Sequence, residues 1–300
     1  MKEIKLIALY YYICESYDTE LSWICQRFSN NSEPLFSDVE CLSIYLYGMI
    51  AEEKYQLKSI YDYADRYLRS WFPTLPSYQA FNMRINRLSG VFPYLVKRML
   101  ADTPIGAVNF SVSLLDSLPI MTCSGRRGGK VAPQLTDKGY CSTKKQHYFG
   151  VKLHAMAFRV PGSLPFPELL RLSPASRHDL GAVKEDLILL TDRQIYADKA
   201  YANQPLGQQL ATQNRILMRT PVKLKVGQSE WERNFNQAAD RLFSRAVSAL
   251  RQPIESLFAW LIEKTDIQRA SKVRSERGLL VHIFGRFAAA WATKVPALNP

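Results

Sequence analysis

The periodicity of the chain changes near residue 100, and that change constrains the fold more than any other feature of the sequence. Before it, apolar residues recur every three or four positions, and twelve of the sixteen tyrosines lie there. The segment "FSDVECLSIYLYGMIAEE" opens with Ser37 and Glu40 at capping-box spacing and predicts a helix. "QLKSIYDYADRYLRSWF" predicts another, and "FPTLPS" breaks the pattern. In "SYQAFNMRINRL", Tyr78, Phe81, Ile85 and Leu88 share one helix face. Gln79, Asn82, Asn86 and Arg87 take the opposite face. Residues 1–104 are therefore expected to form an all-α domain.

After residue 105 strand signals take over, and residues 105–300 are expected to form a second domain. "GAVNFSVSLLDSLPI" is the first strand. In "HYFGVKLHAMAFRV", the second, Phe149, Val151, Leu153 and Ala155 alternate with Tyr148, Gly150, Lys152 and His154. That alternation predicts one apolar face and one polar, basic face. "PELLRLSPAS" is a third strand, and "HDLGAVKEDLILLT" a helix capped by Ser176 and Asp179. "QIYADKAY" is a fourth strand ending at Asp198, "NQPLGQQLATQN" a helix, and "RILMRTPV" a fifth strand. A long helix starts near "SEWERNFNQ", with Ser229 and Glu232 at capping-box spacing, and runs past Glu255. Closely spaced strands imply antiparallel pairing, and alternation with helices implies parallel crossovers. The expected product is an α/β fold, a mixed five-stranded sheet flanked by helices.

Charge narrows the partners. Lys and Arg number 39 against 27 Asp and Glu, a net charge of +12. Such an excess favours a polyanion, because basic side chains neutralise phosphates and release counterions. Between residues 121 and 160, eight basic residues (Arg126, Arg127, Lys130, Lys138, Lys144, Lys145, Lys152, Arg159) face one acid, Asp137. The Asn, Gln and Arg side chains of the 79–87 helix suit base edges and phosphates. A solvated bundle face and a flexible loop explain the same residues without nucleic acid. Five cysteines without a CxxC pair argue against a disulfide framework and a zinc site. No apolar run has transmembrane length, and the N-terminal stretch reads as an amphipathic helix, so a cytoplasmic protein without membrane contact is expected.

Three acids stand out by position. Asp116 interrupts the apolar run of the first strand, near its expected end, and Asp198 ends the fourth. Neighbouring parallel strands would deliver both at one carboxyl edge, where α/β sheets place ligands. Glu255, in "RQPIESLFAWLIEK", borders the helix face formed by Ile254, Leu257, Phe258 and Leu261, two residues after Pro253, where a kink or helix start is expected. Clustered carboxylates repel unless cations neutralise them, and hard oxygen donors favour Mg2+ or Mn2+. Two such ions can drive a phosphodiester displacement. Each acid also has a local explanation. Asp116 can cap backbone amides, Asp198 can pair with Lys199, and Glu255 can pair with Arg251 or Arg245.

The ordered set "LLDSLPI", "YFGVKLHAM", "SPASRHDL", "YADKAY" and "RQPIESLF" resembles insertion-sequence transposases of the DDE type. The segment "FSDVECLSIYLYGM" through "FPTLPSYQAFNMRINRL" is similar to the helical N-terminal region of one branch of that family. The resemblance implies an RNase H-like catalytic domain. It places the catalytic, metal-holding triad on Asp116, Asp198 and Glu255, with two Mg2+ or Mn2+ ions. It puts a phosphate-holding arginine on Arg251, four residues before Glu255. Lys152, His154, Arg126, Arg127, Lys144, Lys145, Asn82, Asn86 and Arg87 are the expected DNA contacts. The pair His178 and Asp179 corresponds to a family motif. The sequence departs from the family at Ser248, Ile262 and Ala200, where relatives often have Tyr, Lys and Gly. The implied activity is DNA cleavage and strand transfer at the ends of a mobile element, by a homodimer or larger assembly on bacterial nucleoid DNA. A related nuclease without joining activity, and an inactive DNA-binding derivative, are the alternatives.

Overall fold

The computed structural model describes residues 2–26, 34–106, 108–222 and 230–299. The expected cap at Ser229 and Glu232 lies outside the residues whose side chains are described. Six helices come first: α1 (Lys2–Ser16), α2 (Ser22–Cys25), α3 (Asp38–Ile50), α4 (Leu57–Tyr67), α5 (Tyr78–Arg87) and α6 (Val91–Ala101). The capping box at α3 forms as its spacing predicts. The Ser37 hydroxyl accepts the Glu40 N–H at 3.1 Å, and the Glu40 carboxylate accepts the Ser37 N–H at 2.5 Å. On α5, Phe81 and Ile85 are buried. Its polar face, however, is engaged internally. Arg87 donates to both oxygens of the buried Asp38 (2.7 and 2.8 Å) and to the Cys25 carbonyl. Asn86 donates to the carbonyl and side-chain oxygens of Asn82. Arg87 is thus a structural ion-pair partner rather than a side chain turned outward for DNA.

The sheet follows, with β1 (Asn109–Ser124), β2 (Asp137–Cys141), β3 (Gln146–Arg159), β4 (Phe166–Pro174), α7 (Asp179–Ile188), β5 (Arg193–Ala197), α8 (Gln204–Asn214), β6 (Ile216–Arg219) and α9 (Glu230–Thr265). Across the sheet the order is β2-β3-β1-β5-β6, with β4 also paired to β3. β1 runs antiparallel to β3 and parallel to β5, and β5 runs parallel to β6. This mixed sheet flanked by helices matches the RNase H-like expectation, with a sixth strand added. β2 pairs with Gln146–Gly150 and β4 with Val151–Phe158 of the same β3 strand, so the two share one edge and the sheet stays five strands wide. β2 escapes a reading by periodicity because it is five residues long, mostly exposed, and centred on Gly139.

Successive strand residues point to opposite faces. Leu115 and Met156 join Leu180, Val183, Leu187, Ile195, Leu206 and Ile216 in a core against α7 and α8. Asp116 takes the other face, towards α9. The helix α9 continues through Pro253 without the expected restart.

The last helices are α10 (Glu276–Leu280) and α11 (Arg286–Ala292). The chain forms two compact units. One comprises residues 1–104, 130–134 and 261–300, and the other residues 105–129 and 135–260. The second unit therefore ends inside α9, earlier than the 105–300 span expected. The reason is apolar content: Phe287, Ala288, Ala289, Ala290 and Trp291 are buried, and the Trp291 indole N–H donates to Thr103 in the same unit.

Gly150 of β3 pairs with Met121 of β1, beside a register shift between Met121 and Cys123. A Cβ there would stand 1.9 Å from the Ile120 carbonyl oxygen. Gly150→Ala is expected to cost roughly 2 kcal/mol or more of stability, read as a lower urea midpoint. An unchanged midpoint would show that the ladder yields freely here.

Candidate active site

The parallel ladder between β1 and β5 ends at the pair Leu115–Ala197. The next residue on each chain segment is an acid, Asp116 on β1 and Asp198 after β5. Asp116 is therefore central in its own sixteen-residue strand, not at its end. The edge it occupies belongs to the shorter β5. Asp198 leaves the strand as the N-cap of a 3-10 turn (Lys199–Tyr201), its Oδ1 accepting the Lys199 N–H at 2.7 Å. Asp116 Oδ1 accepts the Ser117 N–H at 2.8 Å.

Arg251 of α9 connects the third acid. Its Nη1 donates to Asp116 Oδ2 at 2.5 Å, and its Nη2 to Glu255 Oε1 at 2.5 Å. The i, i+4 spacing on α9 puts the arginine and glutamate on one face. The guanidinium is 13% exposed, Asp116 20% and Glu255 54%. All three local explanations thus hold in part: two backbone amides cap the aspartates, and Arg251 pairs with Glu255. None of them neutralises the cluster. Burial, the largest influence, raises the Asp116 pKa to about 6; Arg251 and the Ser117 N–H oppose that, and Asp198 and Glu255 add to it. Burial also works against the Arg251 charge, but Asp116, Glu255 and Asp198 together hold its pKa above the ordinary value.

Three carboxylates and one guanidinium leave an excess of negative charge among these four side chains. Among the described residues, no three His, Cys, Asp or Glu side chains are already drawn into a ligand shell. Arg251 stands between two of the acids. The donor set nevertheless fits a hard divalent cation, because its acids offer only carboxylate oxygens and outnumber the one guanidinium.

A family model for the transposase DDE domain matches residues 110–292. The chain belongs to this family. No curated protein and no solved structure matches the sequence. The matched span contains Asp116, Asp198, Arg251 and Glu255, and DNA is the substrate of a transposase.

The remaining positions expected in this transposase divide sharply. Arg126, Arg127, Lys144 and Lys145 are exposed. The first two lie in the turn after β1, the others in the turn between β2 and β3. The Gly125 N–H donates to the His147 carbonyl, so both turns leave the same end of the β1–β3 ladder. That end lies eight residues along β1 from Asp116, about 26 Å at ~3.3 Å per residue. Lys152 is occupied, donating to Asp179 Oδ1 at 2.8 Å and to the Arg177 carbonyl at 2.9 Å. His154 is 1% exposed, which rules out the outward DNA contact expected of it. The alternation along β3 holds, but α7 and the turn after β5 cover its polar face. Burial lowers the His154 pKa to about 4, so the ring is neutral at pH 7. Ser176 does not cap α7. Its hydroxyl donates to Asp137 at 2.5 Å, and His178 is the N-cap residue, without a side-chain cap bond. Asp179 serves as the partner of Lys152. Two neighbours of the acids, Ser117 and Tyr201, escape a reading of the sequence. The only signal for either is its place in "LLDSLPI" or "YADKAY".

Raising a carboxyl pKa on folding means that its contribution to stability is present below the ordinary carboxylate range and lost as pH rises through about 6. Asp116→Asn stays neutral throughout. Wild-type stability relative to this variant should fall by up to about 3 kcal/mol between pH 4 and pH 7.5. Denaturation at the two pH values measures it, and a pH-independent difference would contradict the burial argument.

Proposed function

We propose that the protein cleaves DNA at the ends of a mobile element and joins those ends to target DNA. The observation that supports this most is the bridge from Arg251 to Asp116 and Glu255, with Asp198 beside them, inside a transposase DDE domain. Asp116, Asp198 and Glu255 would hold two Mg2+ or Mn2+ ions. Bound there, such ions supply the activation of a water or 3′-hydroxyl nucleophile and the stabilisation of the leaving oxygen.

The chain's own side chains do the rest. Asp116 is fixed in a long strand paired with β3 on one side and with β5 up to Leu115 on the other, so its carboxylate has little freedom. Arg251 balances the acids until substrate arrives, and its planar fork is suited to a DNA phosphate beside them. Beneath the aspartates, the buried Tyr201 ring packs into the apolar core. Arg126, Arg127, Lys144 and Lys145 hold duplex phosphates about 26 Å away, the length of roughly eight base pairs at ~3.4 Å each. The helical residues 1–104 recognise the element ends, and two copies pair those ends, acting on nucleoid DNA in the cytoplasm. Hydrolysis without joining is the second reading, favoured only if the bridge serves water alone.

Asp116→Ala should lower cleavage of an element-end duplex by at least about a hundredfold, with DNA affinity retained in a gel-shift assay. Supplied with a pre-cut end, the wild type should yield joined product. Hydrolysis alone would favour the nuclease, and full activity of the variant would remove Asp116 from the chemistry. Replacing Arg126, Arg127, Lys144 and Lys145 with Ala together should weaken DNA binding and flatten its dependence on salt. The slope of log K against log salt should fall by up to ~0.9 for each phosphate that the variant no longer neutralises. An unchanged slope would place the DNA elsewhere.

A further inference from the structure

The sheet face opposite α9 carries a buried polar chain that runs from β4 through β3 to the turn bearing Asp198. His154 Nε2 lies 2.8 Å from the Ser173 hydroxyl, and Nδ1 lies 3.3 Å from the Tyr201 hydroxyl. The Ser173 hydroxyl donates to the Pro174 carbonyl. It therefore accepts from Nε2–H, which leaves Nδ1 as the acceptor for the Tyr201 O–H. The Ser117 hydroxyl, which donates to Asp179 Oδ1 at 3.4 Å, lies near the Tyr201 hydroxyl on its other side. The backbones of Ser117 and Tyr201 each hold an aspartate segment. The Ser117 N–H donates to Asp116 Oδ1, and the Tyr201 N–H donates to the Asp198 carbonyl at 2.9 Å.

This arrangement answers a mechanical need. The β1–β5 ladder stops at Ala197, so no strand pairing holds Asp198. The turn that carries it is anchored by the Tyr201 ring, fully buried among Leu115, Met156 and Leu180. A buried ring sets depth; its hydroxyl, bonded to β3 through His154 and lying beside Ser117 on β1, sets position along the sheet. Bonds of this kind behind a ligand carboxylate orient it and are costly to remove.

We infer that Tyr201 is a positioning residue, whose hydroxyl fixes the turn bearing Asp198 against β1 and β3 and so sets its separation from Asp116. The inference rests on the proposed metal-holding role of these acids. It converts His154 from an expected DNA contact into a support for the active-site turn.

The test is Mn2+ titration of the full chain by calorimetry, below the melting temperature of every variant. Tyr201→Phe deletes only the hydroxyl and should weaken Mn2+ binding by about tenfold or more. Ser173→Ala, which removes the other partner of the His154 ring, should weaken it too, and the double variant should be weaker by less than the product of the single effects. Tyr148→Phe is the control. Its hydroxyl is equally buried, with no hydrogen-bond partner among the described residues, and Mn2+ affinity should be unchanged. If Tyr201→Phe fails to fold, Ser173→Ala against the same control carries the test. Equal affinity in the wild type and the hydroxyl variants, with binding abolished in Asp116→Ala, would overturn the inference and leave the proposed function standing. Absence of Asp116-dependent Mn2+ binding in the wild type would overturn both.

Discussion

Arg251 holds Asp116 and Glu255 at once, and the organisation of the sheet unit depends on that double contact. Three acids in a partly buried place repel one another unless positive charge comes between them. The guanidinium supplies that charge from α9, and α9 must therefore lie across the sheet face that carries Asp116. The same contact limits what the site can do. An arginine that neutralises two carboxylates competes with any other cation for them. Its own charge is secure, since burial is outweighed by the acids around it. A cluster of this kind costs stability when empty of further positive charge, and it is tolerated because the sheet beneath is rigid.

That rigidity comes from strand lengths. β1 and β3 are long and laddered together over most of their length, while β5 and β6 are short. The mismatch creates an edge in the middle of β1, and both aspartates stand on it. Behind the edge, α7 and α8 seal an apolar core that includes Leu115 and Ala197, the last paired residues before the acids. The Lys152–Asp179 pair ties the start of α7 to β3 on that face. Two faces of one sheet thus divide the work, with charge on the α9 side and support on the α7 side.

Much of this is legible in the sequence. The order of strands and helices other than β2, the capping box of α3 and the three acids follow from periodicity and spacing, because those signals are local. What escapes is what depends on neighbours. Asp116 looks like a strand-end residue, since nothing in "VSLLDSLPI" reveals that β5 is the shorter partner. His154 and Lys152 read as an outward polar face, because alternation cannot say whether a helix covers it. Arg87 looks free for DNA until Asp38, forty-nine positions earlier, is found against it. The terminal helices give no sign that they pack with the first hundred residues, since their apolar runs fit either unit. Tyr201 is invisible as a support because a buried tyrosine reads as core until its hydroxyl partners are known.

The central claim is that Asp116, Asp198 and Glu255 form one cation-holding site now bridged by Arg251. Anomalous diffraction from crystals grown with Mn2+ tests it most directly. The predicted result is manganese scattering bounded by these three carboxylates, with the Arg251 guanidinium withdrawn from Asp116. Manganese bound elsewhere, with Arg251 still bridging Asp116 and Glu255, would contradict it.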